Sequence, residues 1–226
     1  MDAFNIAKVV AAFITVIIPF TVGIRVFTIN RNNWLNRWFT LFFVSGSLGF
    51  LFYTTYHLIT NNASIIIPLM ITAQFFFNFI CISLLMTVFV LEKFAKVAMT
   101  PKYLITMLLL FILMSFGYFI WIPTLDTDSY AVGIVNTETN LGLQIFVNIL
   151  RIAIYIYAVY KYILISKKLE GDSKRRIQWF YFGIIIVVVG LLLNLIGGAL
   201  DSIILEIVAL ISIDIGSLIL FKGFLI

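Results

Sequence analysis

The chain has 226 residues, of which 63% are hydrophobic and only 11% charged, with a net charge of +5 and a mean hydropathy of +1.14. A soluble domain carries about 25% charged and 45–50% apolar residues. This composition therefore excludes a water-covered globular domain, and the long apolar runs leave no room for a soluble catalytic or nucleic-acid-binding one. A single cysteine (Cys81) and a single histidine (His57) exclude an internal disulfide, a thiolate zinc site and an iron–sulfur cluster, so no cofactor and no metal are expected.

In chain order the apolar runs cover 4–29, 38–60, 65–91, 103–123, 141–166, 177–199 and 203–222. Each can cross a hydrocarbon core of about 30 Å at about 1.5 Å per helical residue. None shows the ten-residue in/out alternation of a barrel strand. The predicted fold is an all-α integral membrane protein, with 1–226 forming one bundle of seven transmembrane helices.

The loops alternate in charge. Arg31 and Arg37 lie in the first; Lys93, Lys96 and Lys102 in the third; Lys167, Lys168, Lys174, Arg175 and Arg176 in the fifth; Lys222 is at the end of the last span. The second loop is uncharged, the fourth carries Asp126, Asp128 and Glu138, and the sixth carries Asp201. Cytoplasmic loops gather Lys and Arg, which predicts the N-terminus outside and the C-terminus in the cytoplasm of a multi-pass cell-membrane protein. Its basic face would meet anionic headgroups rather than nucleic acid. Trp34, Trp38 and Trp179 fall at the inner boundary and Trp121 at the outer one, as amphipathic rings do. Aligning Trp38-Phe39 with Trp179-Phe180 also brings Gly49 onto Gly190 and superposes spans one to three on spans five to seven. That is the outline of a 3+1+3 plan.

Polar residues inside a membrane are costly, so their positions carry information. In span five Gln144, Asn148, Arg151, Tyr155 and Tyr162 recur at helical spacing. Arg151 lies about 15 Å below the outer end of its span, and Asp214 in span seven about 16 Å below its own. A carboxylate opposite the guanidinium would remove most of its insertion cost, which predicts that Arg151 and Asp214 pair inside the bundle. Gln74 and Asn78 share a face of span three with Cys81. Together with Asn148, Tyr155 and Arg151 they are candidate ligand-binding residues, as is Glu206, which would join Lys8, His57 and Asp201 in an outer polar vestibule. A ligand site built from Gln74, Asn78, Asn148 and Arg151 requires a cavity of roughly 300 Å³ or more. Packing glue requires amides bonded directly to neighbouring helices. Gly183, Gly190 and Gly197 with Asn194 on span six, and Ser45 with Gly49 on span two, read as stripes of close helix contact. Ser47 and His57 are about 15 Å apart along one helix and cannot act as nucleophile and base, and no enzyme activity is expected.

The chain has likenesses to three families. The seven spans, together with Asp214-Ile215-Gly216-Ser217-Leu218, resemble microbial rhodopsins and their Asp-x-x-x-Lys segment. Leu218 replaces the chromophore lysine, so the resemblance implies no covalent retinal, only a counter-ion-like Asp214. In topology the chain also resembles the seven-helix sensor modules that precede prokaryotic histidine kinases, and the small 3+1+3 sugar transporters. It lacks the Pro-Gln motif of the latter, and Pro19 and Pro68 align with Tyr160 and Ala209 rather than with matching breaks. The reading favoured by the sequence is a receptor or sensor with a polar intramembrane site among spans three, five, six and seven, signalling to a partner protein through the basic loops. A small-solute or ion transporter and a structural subunit of a membrane assembly are the alternatives.

Overall fold

The computed structural model describes residues 3–200 and 202–226. Its helices are α1 (Ala3–Ile29), α2 (Trp34–Leu58), α3 (Ile66–Ala98), α4 (Pro101–Ile120), the short α5 (Thr127–Ala131), α6 (Leu141–Ser166), α7 (Gly171–Ala199) and α8 (Ile203–Lys222). All but α5 are long and apolar enough to cross a membrane, and the chain is a multi-pass membrane protein.

Local chemistry sets the helix ends. The Asn33 side chain accepts from Leu35 N at 2.9 Å, so α2 begins four residues before its apolar run. Asn140 caps α6 in the same way, and Pro101 occupies the first turn of α4, where its missing N–H costs nothing. α3 runs seven residues beyond its predicted end, but Phe94 breaks it with φ 62 and ψ 149. The fourth loop has structure that its polarity did not announce. Thr124–Leu125 pairs antiparallel with Thr137–Glu138, and Asp126 caps α5. The Ser129 hydroxyl, followed by the Ser129 and Asp128 N–H groups, holds the Asp126 carboxyl below its ordinary pKa.

Six spans form a closed ring: α1 packs on α2, α2 on α3, α3 on α6, α6 on α7, α7 on α8, and α8 on α1. α4 stands outside the ring against α3 and α6 and buries only Met107, Met114, Ser115, Gly117 and Tyr118. The neighbours of the first three spans are thus repeated by the last three. Phe39 and Phe180, equivalent in the internal alignment, meet at 4.8 Å between ring centroids. Phe224 joins them at 5.1 Å and 4.8 Å, plugging the centre of the ring at its basic end. Two aromatic residues there carry cations over their rings: Arg37 over Trp34 and Lys222 over Trp179.

The small-residue stripes lie where close contact is made. The Phe77 ring fills the space beside Gly49, and α7 and α8 meet through glycine. A Cβ on Gly183 would fall 2.8 Å from the Gly216 carbonyl, and one on Gly190 would fall 2.8 Å from that of Ala209. Van der Waals packing of this kind joins helices in lipid, where no hydrophobic force acts between them. Replacing either glycine by alanine should lower the thermal midpoint in detergent, at an overpacking cost of about 1–3 kcal/mol. Gly46→Ala, whose Cβ would meet only Ile80 Cδ1 at 3.6 Å, should leave the midpoint unchanged or raise it. Equal loss in all three would contradict the close α7–α8 seam.

Candidate functional site

The polar centre of the molecule is built on α3. Arg151 reaches across from α6 and donates Nε and Nη2 to the Asn78 side-chain oxygen at 2.9 Å and 2.7 Å. Nη2 also donates to the Gln74 side-chain oxygen at 2.9 Å and to its backbone carbonyl at 3.2 Å. With its oxygen committed to the arginine, the fully buried Asn78 turns its NH₂ to α4, donating to Met114 O at 3.0 Å and Ser115 Oγ at 3.1 Å. The Tyr118 hydroxyl of α4 donates to Gln74 at 3.3 Å. The Phe77 ring lies 5.9 Å from the guanidinium carbon. Amide dipoles, not a carboxylate, solvate this charge. The network ties α4 to the ring together with aromatic pairs such as Phe75–Phe119 and Phe79–Phe111.

Asp214 is not Arg151's partner, which corrects the expected pair. The two residues match in depth, but α7 packs against both α6 and α8 and stands between them. Depth can be read from position along a helix, whereas neighbourhood around the bundle cannot. Asp214 is buried on α8 and faces α1, where Thr15 Oγ1 lies 3.2 Å from its Oδ2. Two turns nearer the acidic end, Lys8 and Glu206 form an ion pair across the same two helices. A second ion pair, Lys161 with Glu92 at 2.7 Å, joins α6 to α3 toward the basic end.

The remaining candidates divide. Tyr155 is buried and lines a central cavity, but Asn148 does not join the network. At about 100° per residue it stands roughly 60° around α6 from Arg151, and it is half-buried with no hydrogen bond among the described residues. Gln144 is exposed in the first turn of α6. His57 bonds to the Tyr53 carbonyl at 2.9 Å and packs its ring against those of Tyr53 and Tyr56, and the Lys8–Glu206 pair lies beside the same Tyr53. Asp201 lies outside the described residues. Leu218, at the chromophore-lysine position of the opsin comparison, is 49% exposed and points away from the interior. Thr15, Ser115 and Tyr118 join these sites without having been legible in the sequence. They are ordinary residues for a membrane helix, and only their placement opposite a charge or an amide gives them a role.

Neither of the two main cavities among the described residues is lined by Gln74, Asn78, Asn148 or Arg151. The central cavity occupies about 40 Å³ and is bounded by all six ring helices through Pro19, Phe50, Phe77, Tyr155, Leu191 and Ser217 among others. The larger space, about 600 Å³, is an apolar groove on the outer surface between α4 and α6, with Leu113, Phe116, Ile120, Trp121, Leu143 and Phe146 along it. No family model, curated protein or solved structure matches this chain.

The network predicts a coupling that unfolding can measure. Arg151→Leu and Asn78→Leu should each destabilise the protein, and the double variant should cost less than their sum by about 0.5–3 kcal/mol. Arg151→Leu combined with Asp214→Asn should be additive. Additivity for the first combination, or coupling in the second, would contradict the assignment.

Proposed function

We propose that this chain is a non-enzymatic seven-helix subunit that acts through a partner protein. The observation that supports this reading is the closed interior. Arg151 gives its Nε and Nη2 to α3, and the space at the ring's centre is about 40 Å³, an order of magnitude below a ligand pocket of about 300–1,000 Å³. The Phe39–Phe180–Phe224 plug closes that centre toward the basic end. A solute transporter needs a central site at the interface of its repeats, reached by alternating access, and this packing does not favour one.

A receptor or sensor is the second reading, and the α4–α6 groove favours it. Its size suits a ligand, and its wall is apolar and turned outward from the ring. A sensor of this architecture would take an apolar or amphiphilic molecule from the bilayer rather than a polar one from water. In both readings the basic loops are the output surface. Eleven of the fifteen basic residues gather there, which orients the N-terminus outside and the basic end toward the cytoplasm and its anionic headgroups.

Two measurements test this. In intact cells Asp126→Cys should react with an impermeant thiol reagent and Lys174→Cys should not; wild type gives no background, because Cys81 is buried. Extracted in mild detergent from its native membrane, the protein should run well above its 25.8 kDa together with a second protein. Replacing Lys174, Arg175 and Arg176 by glutamine should release that partner. Solute flux carried by the purified chain alone in liposomes, or a lone monomer after native extraction, would overturn the subunit reading.

A further inference from the structure

We propose that Asp214 is held as a neutral carboxylic acid, making the middle of the α1–α8 seam a proton-binding site. Asp214 is the twelfth residue of a twenty-residue apolar helix, about 17 Å from its start. It is 7% exposed, and its one polar contact among the described residues is Thr15 Oγ1 at 3.2 Å. Its Oδ1 is buried without a hydrogen-bond partner.

Proton counting at Thr15 favours the protonated state. The Thr15 oxygen also lies 3.0 Å from the Ala11 carbonyl, one turn back on α1. This is the back-bond usual for a threonine in a helix. A carbonyl oxygen can only accept, so that bond uses the single hydroxyl proton of Thr15. For the contact between Thr15 and Asp214 to be a hydrogen bond as well, its proton must come from the acid, with Oδ2–H donating to Thr15 Oγ1. The bare Oδ1 is then the carbonyl oxygen of an acid, far less costly to leave unpaired than half of a carboxylate.

The surroundings favour the same state, because nothing nearby balances a charge. On α1 and α8 the next charged groups outward are Lys8 and Glu206, seven and eight residues away and paired with each other beside Tyr53 of α2. Inward, Arg25 of α1 is exposed ten residues from Thr15, and Lys222 of α8 lies over Trp179. α7, the other helix packed on α8, has no charged residue between 177 and 199. The guanidinium of Arg151 is engaged on α3. An ionised Asp214 would be a buried, unpaired charge, the expensive case. Releasing its proton to bulk water also removes the only donor in the Thr15–Asp214 contact, unless Thr15 gives up Ala11. Proton occupancy is thereby coupled to the packing of α8 on α1.

Difference infrared spectroscopy of the purified full chain at neutral pH tests this directly. The carbonyl stretch of a protonated carboxylic acid should be present in wild type and absent in Asp214→Asn. It should shift in frequency in Thr15→Ala, where the acid loses its acceptor. Asp214→Asn should keep the wild-type thermal midpoint, since its amide can donate in place of the acid. If that variant does not fold, Asp214→Glu and Thr15→Ala read the same band in folded protein. A spectrum in which Asp214 contributes only carboxylate bands would overturn the proposal. So would an Asp214 signal that depends on added sodium or potassium, which would place a metal cation where the proton is assigned.

Discussion

Lipid offers the arginine of α6 no hydrogen-bond partner, and the rest of the bundle is arranged around that fact. A guanidinium near the middle of a membrane costs at least about 2.5–3.5 kcal/mol on insertion scales. The chain meets this cost with two amides on one neighbouring helix. Asn78 and Gln74 each have an oxygen to give the arginine, and each makes a further bond to α4, through the Asn78 NH₂ and through the Gln74 oxygen that accepts from Tyr118. One charge therefore fixes three helices. The same engagement fills the space between α3 and α6, so the clamp and a polar ligand pocket are mutually exclusive in this conformation.

The sequence shows the parts of the structure that depend on a single helix. Span lengths, the alternation of loop charge and the depth of Arg151 and Asp214 follow from apolar runs, loop composition and the fixed rise of a helix. The glycine stripe of α7 follows from helical periodicity, and its partner α8 was the next element in the chain. What was not legible depends on the order of helices around the ring. Arg151 and Asp214 are at matching depths on helices separated by α7, and Arg151's real partners are on α3, far earlier in the chain. Asn148 shows a smaller version of the same difficulty: a modest rotation about the α6 axis separates a side chain in the network from one beside it. The β-ladder and α5 in the acidic loop rest on the Asp126 cap, which a scan for apolar periodicity does not register.

The pairwise order of the ring gives the alignment of Trp38-Phe39 with Trp179-Phe180 a structural meaning. α1, α2 and α3 contact one another as α6, α7 and α8 do, and the two joints of the ring, α3 with α6 and α8 with α1, are equivalent under the same alignment. Each joint also holds intramembrane polar contacts. One holds an arginine among amides. The other holds an acid against a threonine, with an ion pair above it. Matching topology has thus been filled with different chemistry: a guanidinium among amides at the first joint and a carboxyl group against a threonine at the second.

The two amides of α3 hold Nε and Nη2 of Arg151, and the guanidinium itself reports on that contact. In protein carrying ¹⁵N-labelled arginine, the Nε–H of Arg151 should exchange slowly with solvent in wild type. Protection should survive Asp214→Asn and be lost in Asn78→Ala. Protection that disappears in Asp214→Asn but survives Asn78→Ala would contradict the account, and would return the acid of α8 to the place the structure gives to the amides of α3.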